Sequence, residues 1–196
     1  METIAFFDFD GTITTKDTLL EILKFRKGRL GFYIGFAFKA PWLVAYKLGF
    51  ITNQAAKEKV LAHFFKNMPV QQFQTMCDDF AAKELPKLIR PKALTEIEKL
   101  KALNATIVIV SASAENWIAY WCRQHNLELM GTRLQVQNNC ITGNIEGANC
   151  YGEEKVRRIK ERFKIANYQN IYCYGDTKGD KPMLALATLS YYTPFR

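Results

Sequence analysis

The sequence is short of the features that define several protein classes. Its five cysteines, Cys77, Cys122, Cys140, Cys150 and Cys173, are scattered, odd in number and never spaced as C-x-x-C. That argues against a disulfide framework and against a thiolate zinc site, and leaves reduced thiols in a cytosolic chain as the simpler expectation. No positively charged leader with a small-residue cleavage site precedes the first apolar run, so no secretory signal is expected. The longest apolar stretch, Leu30 to Ile51, is interrupted by Lys39 and would be broken by Pro41, which does not suit a membrane-spanning helix. Repeats and low-complexity tracts are absent. Acidic side chains are also outnumbered, 19 against 27 Lys and Arg, for a formal charge of +8. An anionic partner follows, whether phosphorylated metabolite, lipid or nucleic acid, and charge alone does not choose among them.

What is present suffices for a core: 48% of the 196 residues are hydrophobic, which fits one domain or one core with a modest insertion. Thr3-Ile4-Ala5-Phe6-Phe7 is a short apolar run that reads as a buried strand, ending in the turn-rich Asp8-Phe9-Asp10-Gly11-Thr12. From about Asp17 to Ile89 the pattern is helical, punctuated by Pro41, Pro69 and Pro86, with no convincing strand. A helix is expected over Leu94 to Leu103. The β-branched run Thr106 to Val110 then gives the clearest strand, bounded by Ser111-Ala112-Ser113. A second helix follows from about Glu115 to His125, a hairpin turning at Asn138-Asn139 within Thr132 to Ile145, and a charged helix from Glu153 to Phe163. Asn170 to Tyr174 is a third strand, ending in Gly175-Asp176.

Strands alternating with helices predict an α/β fold with a doubly wound parallel sheet, whose ligands gather at the carboxyl ends of the strands. Asp8, Ser111 and Asp176 each fall just past a predicted strand. The chain therefore offers, in order, Asp8-Phe9-Asp10-Gly11-Thr12, Ser111 after an apolar strand, Lys155 within Gly152-Glu153-Glu154-Lys155, and Gly175-Asp176-Thr177-Lys178-Gly179-Asp180. These segments resemble the four motifs of the haloacid dehalogenase superfamily; the wording Ser111-Ala112-Ser113, the hairpin before Lys155 and the helical insertion between the first two motifs resemble its subfamily IB, which includes phosphoserine phosphatases and a bacterial phosphatidylglycerophosphate phosphatase. The resemblance implies a Rossmann-like core over 1–15 and 90–196 with a helical cap over 16–89.

The residue types also answer a physical need. A carboxylate attacking a phosphate dianion brings like charges together, which a divalent cation and a fixed ammonium must offset. Magnesium takes hard oxygen ligands and keeps several waters, so a few carboxylates suffice. By resemblance, Asp8 is the nucleophile, Asp10 the general acid and base, Ser111 and Lys155 the partners of the transferring phosphoryl group. Asp8, Asp176 and the Asp10 carbonyl are the Mg²⁺ ligands. Phe9, Gly11, Thr12, Ala112 and Asp17 are assigned to substrate binding, and Thr177 and Asp180 to the support of the metal site, with Asp180 left open as an outer ligand. Simpler readings stand beside these: Ser111 as a helix N-cap, Asp17 as the N-cap of the first insertion helix, Lys155 as a solvated helix lysine.

The insertion carries its own signal. Leu30 to Ile51 holds seven aromatics (Phe32, Tyr33, Phe36, Phe38, Trp42, Tyr46, Phe50) and only two charges, Lys39 and Lys47. Residues 16–50 contain seven basic and two acidic side chains, +5 of the total +8. Such a segment suits a cap core or a membrane interface. The expected activity is Mg²⁺-dependent hydrolysis of a phosphomonoester, either a lipid phosphate or a small phosphorylated metabolite. The alternatives are a phosphoserine phosphatase-like enzyme and a catalytically silent phosphate-binding protein. Peripheral membrane contact through 24–51 is compatible with a cytoplasmic location at the inner membrane face. Nucleic-acid binding is disfavoured, because the basic residues flank an apolar segment rather than a polar groove. No obligate protein partner is evident.

Overall fold

The structure is a computed structural model that describes residues 2–37, 41, 42, 44 and 48–196. Of the aromatic segment, Phe38, Lys39, Tyr46 and Lys47 lie outside the described residues. Strand β1 (Glu2–Phe7) is the centre of a five-stranded parallel sheet. Its neighbours are β3 (Thr106–Ala114) on one side and β7 (Tyr168–Gly175) on the other, with β4 (Glu128–Thr132) and β8 (Leu189–Tyr192) at the edges. A central strand buried on both faces must be apolar throughout rather than alternating, and Ile4 to Phe7 are all fully buried. Ala5 and Phe7 face one layer, with α4 (Pro91–Ala102) and α5 (Glu115–Gln124) packed on it. Ile4 and Phe6 face the other, against α6 (Glu153–Arg162) and the short α7 (Lys181–Leu184). This is the doubly wound α/β arrangement that the alternation of elements predicts.

Three further helices, α1 (Thr18–Ala37), α2 (Asn53–Phe65) and α3 (Val70–Lys83), come between β1 and α4 in the chain. The chain leaves for them and returns side by side: Thr14 bridges Ile89, Thr15 N donates to Leu88 O at 2.8 Å, and Arg90 N donates to Ile13 O at 2.8 Å. Helix α1 is interrupted at Gly28, where φ is +70° and ψ 167°, a conformation that glycine tolerates best. The expected hairpin is present as β5 (Leu134–Gln137) and β6 (Cys140–Ile145), and Asn138 and Asn139 both take positive φ in its two-residue turn. It does not join the main sheet. Instead β6 pairs with the two-residue β2 (Met68–Pro69), giving a small antiparallel sheet in which the insertion and the second half of the chain share hydrogen bonds.

Candidate active site

Asp8 follows the last residue of β1, and its backbone N–H donates to Tyr174 O on β7 at 2.8 Å. Residues Phe9–Ile13 then make a wide turn in which Gly11 has φ +82°. That turn folds Thr12 back beneath the site. The Thr12 hydroxyl lies 3.1 Å from Asp8 Oδ2 and 3.3 Å from Asp176 Oδ1, linking the first and fourth motifs. Lys155, in the first turn of α6, is buried and donates to Asp8 Oδ1 at 2.6 Å and Asp180 Oδ1 at 2.7 Å. The solvated-lysine reading is therefore corrected. A buried ammonium without carboxylate partners would be too costly to keep.

Electrostatics follows from this burial. Burial pushes the Asp8 carboxyl up to about 7, against the lowering effect of Lys155. Burial also opposes the charge on Lys155, yet Asp8 and Asp180 together hold its ammonium above the ordinary lysine range. For Asp180, burial raises the carboxyl but Lys155 and the Thr177 hydrogen bonds outweigh it, keeping it below the usual range. Asp176 is pushed up by burial and by the charge of Asp180, while Arg196, 2.7 Å from its Oδ2, works the other way.

Asp10 is held differently. Its Oδ1 accepts from Thr18 N and Thr18 Oγ1, both at 2.6 Å, and its Oδ2 accepts from Ser111 Oγ at 3.3 Å. Thr18 Oγ1 in turn receives the Trp117 indole N–H at 3.1 Å and lies 3.0 Å from Ser113 Oγ. Ser111 is not the helix N-cap that its sequence context allows. Strand β3 continues through it to Ala114, which is the residue that precedes α5.

The carboxylates open into a cavity of about 490 Å³. Asp8, Asp10, Gly11, Asp17, Ala112, Lys155, Asp176, Thr177 and Asp180 all line it. Phe9, Thr12 and Ser111 stand behind this surface. Phe9 is buried with its ring against Trp121, 5.3 Å between centroids, so its side chain belongs to the core. Asp17 precedes α1, and its Oδ1 accepts from Leu20 N at 3.2 Å, so the capping geometry and the cavity position coexist. The surrounding walls and the charge of Asp10 push its carboxyl above the usual range.

Lys57 is the residue that the motif pattern does not reach. It projects from α2 into the cavity, donating to Ala112 O and, at 3.2 Å, to Asn149 Oδ1. Burial lowers its ammonium to about 8, with Asp10 and Asp17 opposing that shift. Nothing in the spacing singles out this helix lysine, whereas Thr18, directly after the candidate cap residue Asp17, offers a readable signal.

Oxygens of Asp8, Asp176 and Asp180 lie within 4.8 Å of one another. This buried, all-oxygen donor set fits a hard cation such as Mg²⁺. Asp180 is already engaged: Oδ1 takes Lys155, and Oδ2 takes the Thr177 hydroxyl at 2.8 Å and the Thr177 and Asp176 amides. Asp8 and Asp176 carry fewer partners: Lys155 and the Thr12 hydroxyl on Asp8, the Thr12 hydroxyl and Arg196 on Asp176.

A family model for haloacid dehalogenase-like hydrolases matches residues 5–185, nearly the whole chain. The chain belongs to that family. Protein CicA of Caulobacter vibrioides is 37% identical over 194 residues, covering 97% of this chain and 85% of that protein. Among solved structures, a protein from Bordetella pertussis Tohama I superposes with a TM-score of 0.82 at 22% identity, covering 97% of this chain and 89% of the other. A phosphoserine phosphatase captured as a phospho-aspartyl intermediate analogue gives 0.68 at 18% identity, covering 96% and 85%. At these identities the structural likeness speaks for the fold.

Proposed function

We propose that the protein is a Mg²⁺-dependent phosphomonoester phosphatase that works through a phosphorylated Asp8. The observation that supports this most is the buried Asp8–Lys155–Asp180 chain at the cavity floor, with Asp176 beside it. A carboxylate oxygen of Asp8 attacks phosphorus and the bond to the ester oxygen breaks. Asp10 gives its proton to the departing alkoxide, then takes one from the water that attacks the aspartyl phosphate, so inorganic phosphate leaves and Asp8 is regenerated. Lys155 supplies a positive charge for the phosphoryl group, and Ser111, now donating to Asp10 Oδ2, would turn its hydroxyl to a phosphoryl oxygen. Asp8, Asp176 and the Asp10 carbonyl would hold the cation, which supplies charge neutralisation at the phosphoryl oxygens.

The cavity wall above this floor joins polar groups (Asp17, Asn53, Lys57) to apolar ones (Leu19, Leu20, Phe36, Ala56, Val60). That mixture supports a phosphorylated polar headgroup with an apolar tail, a lipid phosphate. A soluble phosphoamino acid is the second reading. It is favoured by the opposite charges of Asp17 and Lys57, which suit an amine and a carboxylate. A phosphate-release screen with Mg²⁺ tests both, setting phosphatidylglycerophosphate and phosphatidic acid against phosphoserine and sugar phosphates. Asp8→Asn serves as the control. Loss of all turnover in Asp8→Asn is expected, and an Asp8→Asn variant as active as the parent sinks the mechanism.

A further inference from the structure

A helix in a globular protein normally has one apolar stripe turned inward. The second half of α1 has apolar residues on both sides. Phe32 and Gly35 are buried, and the site of a Gly35 Cβ lies 2.8 Å from the Phe64 ring of α2. On the opposite side Leu30, Tyr33 and Ile34, spaced by three and four residues and so on one face, are 75%, 63% and 53% exposed. Trp42, Val44, Leu48 and Phe50 extend the exposed apolar stretch, Phe50 at 78%. Seven of the thirteen large exposed hydrophobics among the described residues thus fall between residues 30 and 50. Concentration of this kind marks an interaction surface, whereas scattered exposed apolar residues do not.

The border of the patch names the partner. Lys24-Phe25-Arg26-Lys27-Gly28-Arg29 leads into it with four basic residues and no acidic one, and Lys27 and Arg29 are exposed. No described helix is long and apolar enough to cross a membrane. An aromatic, apolar face with a basic rim is the chemistry of a segment that lies in the headgroup layer of an anionic bilayer. The rings also lead inward: Tyr33 meets Phe32 edge-on at 5.3 Å, Phe32 stacks on Phe36 at 5.1 Å, and Phe36 lines the cavity.

We infer that the outer face of α1, with Trp42, Val44, Leu48 and Phe50, docks this protein on an anionic lipid bilayer, with the cavity opening close to the interface. This docking stands whether the substrate is a lipid or a soluble ester. The test is flotation of the full chain with phosphatidylcholine vesicles and with phosphatidylcholine–phosphatidylglycerol vesicles, at low and high salt, and size-exclusion chromatography with light scattering alongside. Partition into the anionic vesicles only, weakened by salt, is expected. Lys27→Gln with Arg29→Gln should weaken partition about 30-fold, at the typical contribution of a basic residue near an anionic surface. Leu30→Gln with Ile34→Gln should weaken it about 100-fold through lost apolar burial. Both variants alter exposed side chains away from the cavity, so thermal melting and p-nitrophenyl phosphate hydrolysis should match the parent. Failure to bind any vesicle overturns the inference, as does binding that neither variant weakens. Self-association that Leu30→Gln with Ile34→Gln abolishes, without vesicle binding, would assign the face to a second copy instead. Lack of phosphatase activity in the parent would count against the proposed reaction and leave the flotation result intact.

Discussion

Gly11 and Asp176 face each other with no room for a side chain between them: a Cβ at Gly11 would lie 2.4 Å from Asp176 Oδ2. Gly11→Ala must therefore displace a candidate metal ligand, and it also carries the left-handed backbone penalty of about 1–2 kcal/mol. The expected outcome is a rise of about tenfold or more in the Mg²⁺ needed for half-maximal phosphate release, the loss typical of disturbing groups around a metal site. A Mg²⁺ titration of the variant checks this, and an unchanged requirement would remove Asp176 from the cation site.

Lys155 is the shared cation of two buried carboxylates. Replacing it with Met leaves Asp8 and Asp180 uncompensated, at a cost of about 3–5 kcal/mol, the usual effect of breaking a buried pair. Part of that loss should return when Mg²⁺ is added. Melting curves with Mg²⁺ and with chelator should therefore differ more for Lys155→Met than for the parent.

Lys57 is a partly buried lysine on the cavity wall. Its ammonium is lowered to about 8, so it is charged below that pH and neutral above it. For a substrate with an anionic group beyond the scissile phosphate, KM should rise as pH passes through 8. For p-nitrophenyl phosphate the same limb should be weak. Lys57→Gln keeps a donor for Ala112 O and should flatten the limb for the larger substrate. Parallel pH profiles of parent and variant decide the matter.

Thr18 fixes Asp10 through two short hydrogen bonds and accepts one from Trp117. Thr18→Val keeps the backbone donor but removes the hydroxyl and orphans the Trp117 indole N–H, a loss of about 1–3 kcal/mol. The expected kinetic signature is a lower kcat with KM nearly unchanged, because Asp10 is positioned less well for proton transfer. Steady-state kinetics beside thermal melting separates this from simple instability.

The sheet centre was legible because β1, β3 and β7 each hold a continuous apolar run, Ile4 to Phe7, Ile107 to Val110 and Ile171 to Tyr174. Edge strands were not. Glu128-Leu129-Met130-Gly131-Thr132 lacks a β-branched run and becomes β4 by pairing with β3, from Val108 opposite Glu128 to Ala114 opposite Thr132. Leu189–Tyr192 is exposed along its length and offers no periodicity to detect. Ser111-Ala112-Ser113 bounds the strand expected from sequence, yet the strand runs on because tertiary pairing at Ala114 overrides local preference. In the site, the residues visible in sequence are Asp8, Asp10, Asp176 and Asp180, which chain order ties to strand ends, and Lys155, which the motif order picks out at the start of α6. Lys57 and Arg196 reach the cavity or its carboxylates through packing of distant segments, information that no local pattern holds.

Pairing of Met68 with Ile141 has a consequence for how the molecule is made. The hairpin that completes the small sheet is synthesised long after α1–α3, so those helices emerge from the ribosome without the surface that covers α2. By the time residues 134–145 are made, β1, β3 and β4 are already in the chain, while β7 and β8 are still to come. The helices on one side of the site are therefore tied by hydrogen bonds to a part of the chain made much later, as β1 is to β7.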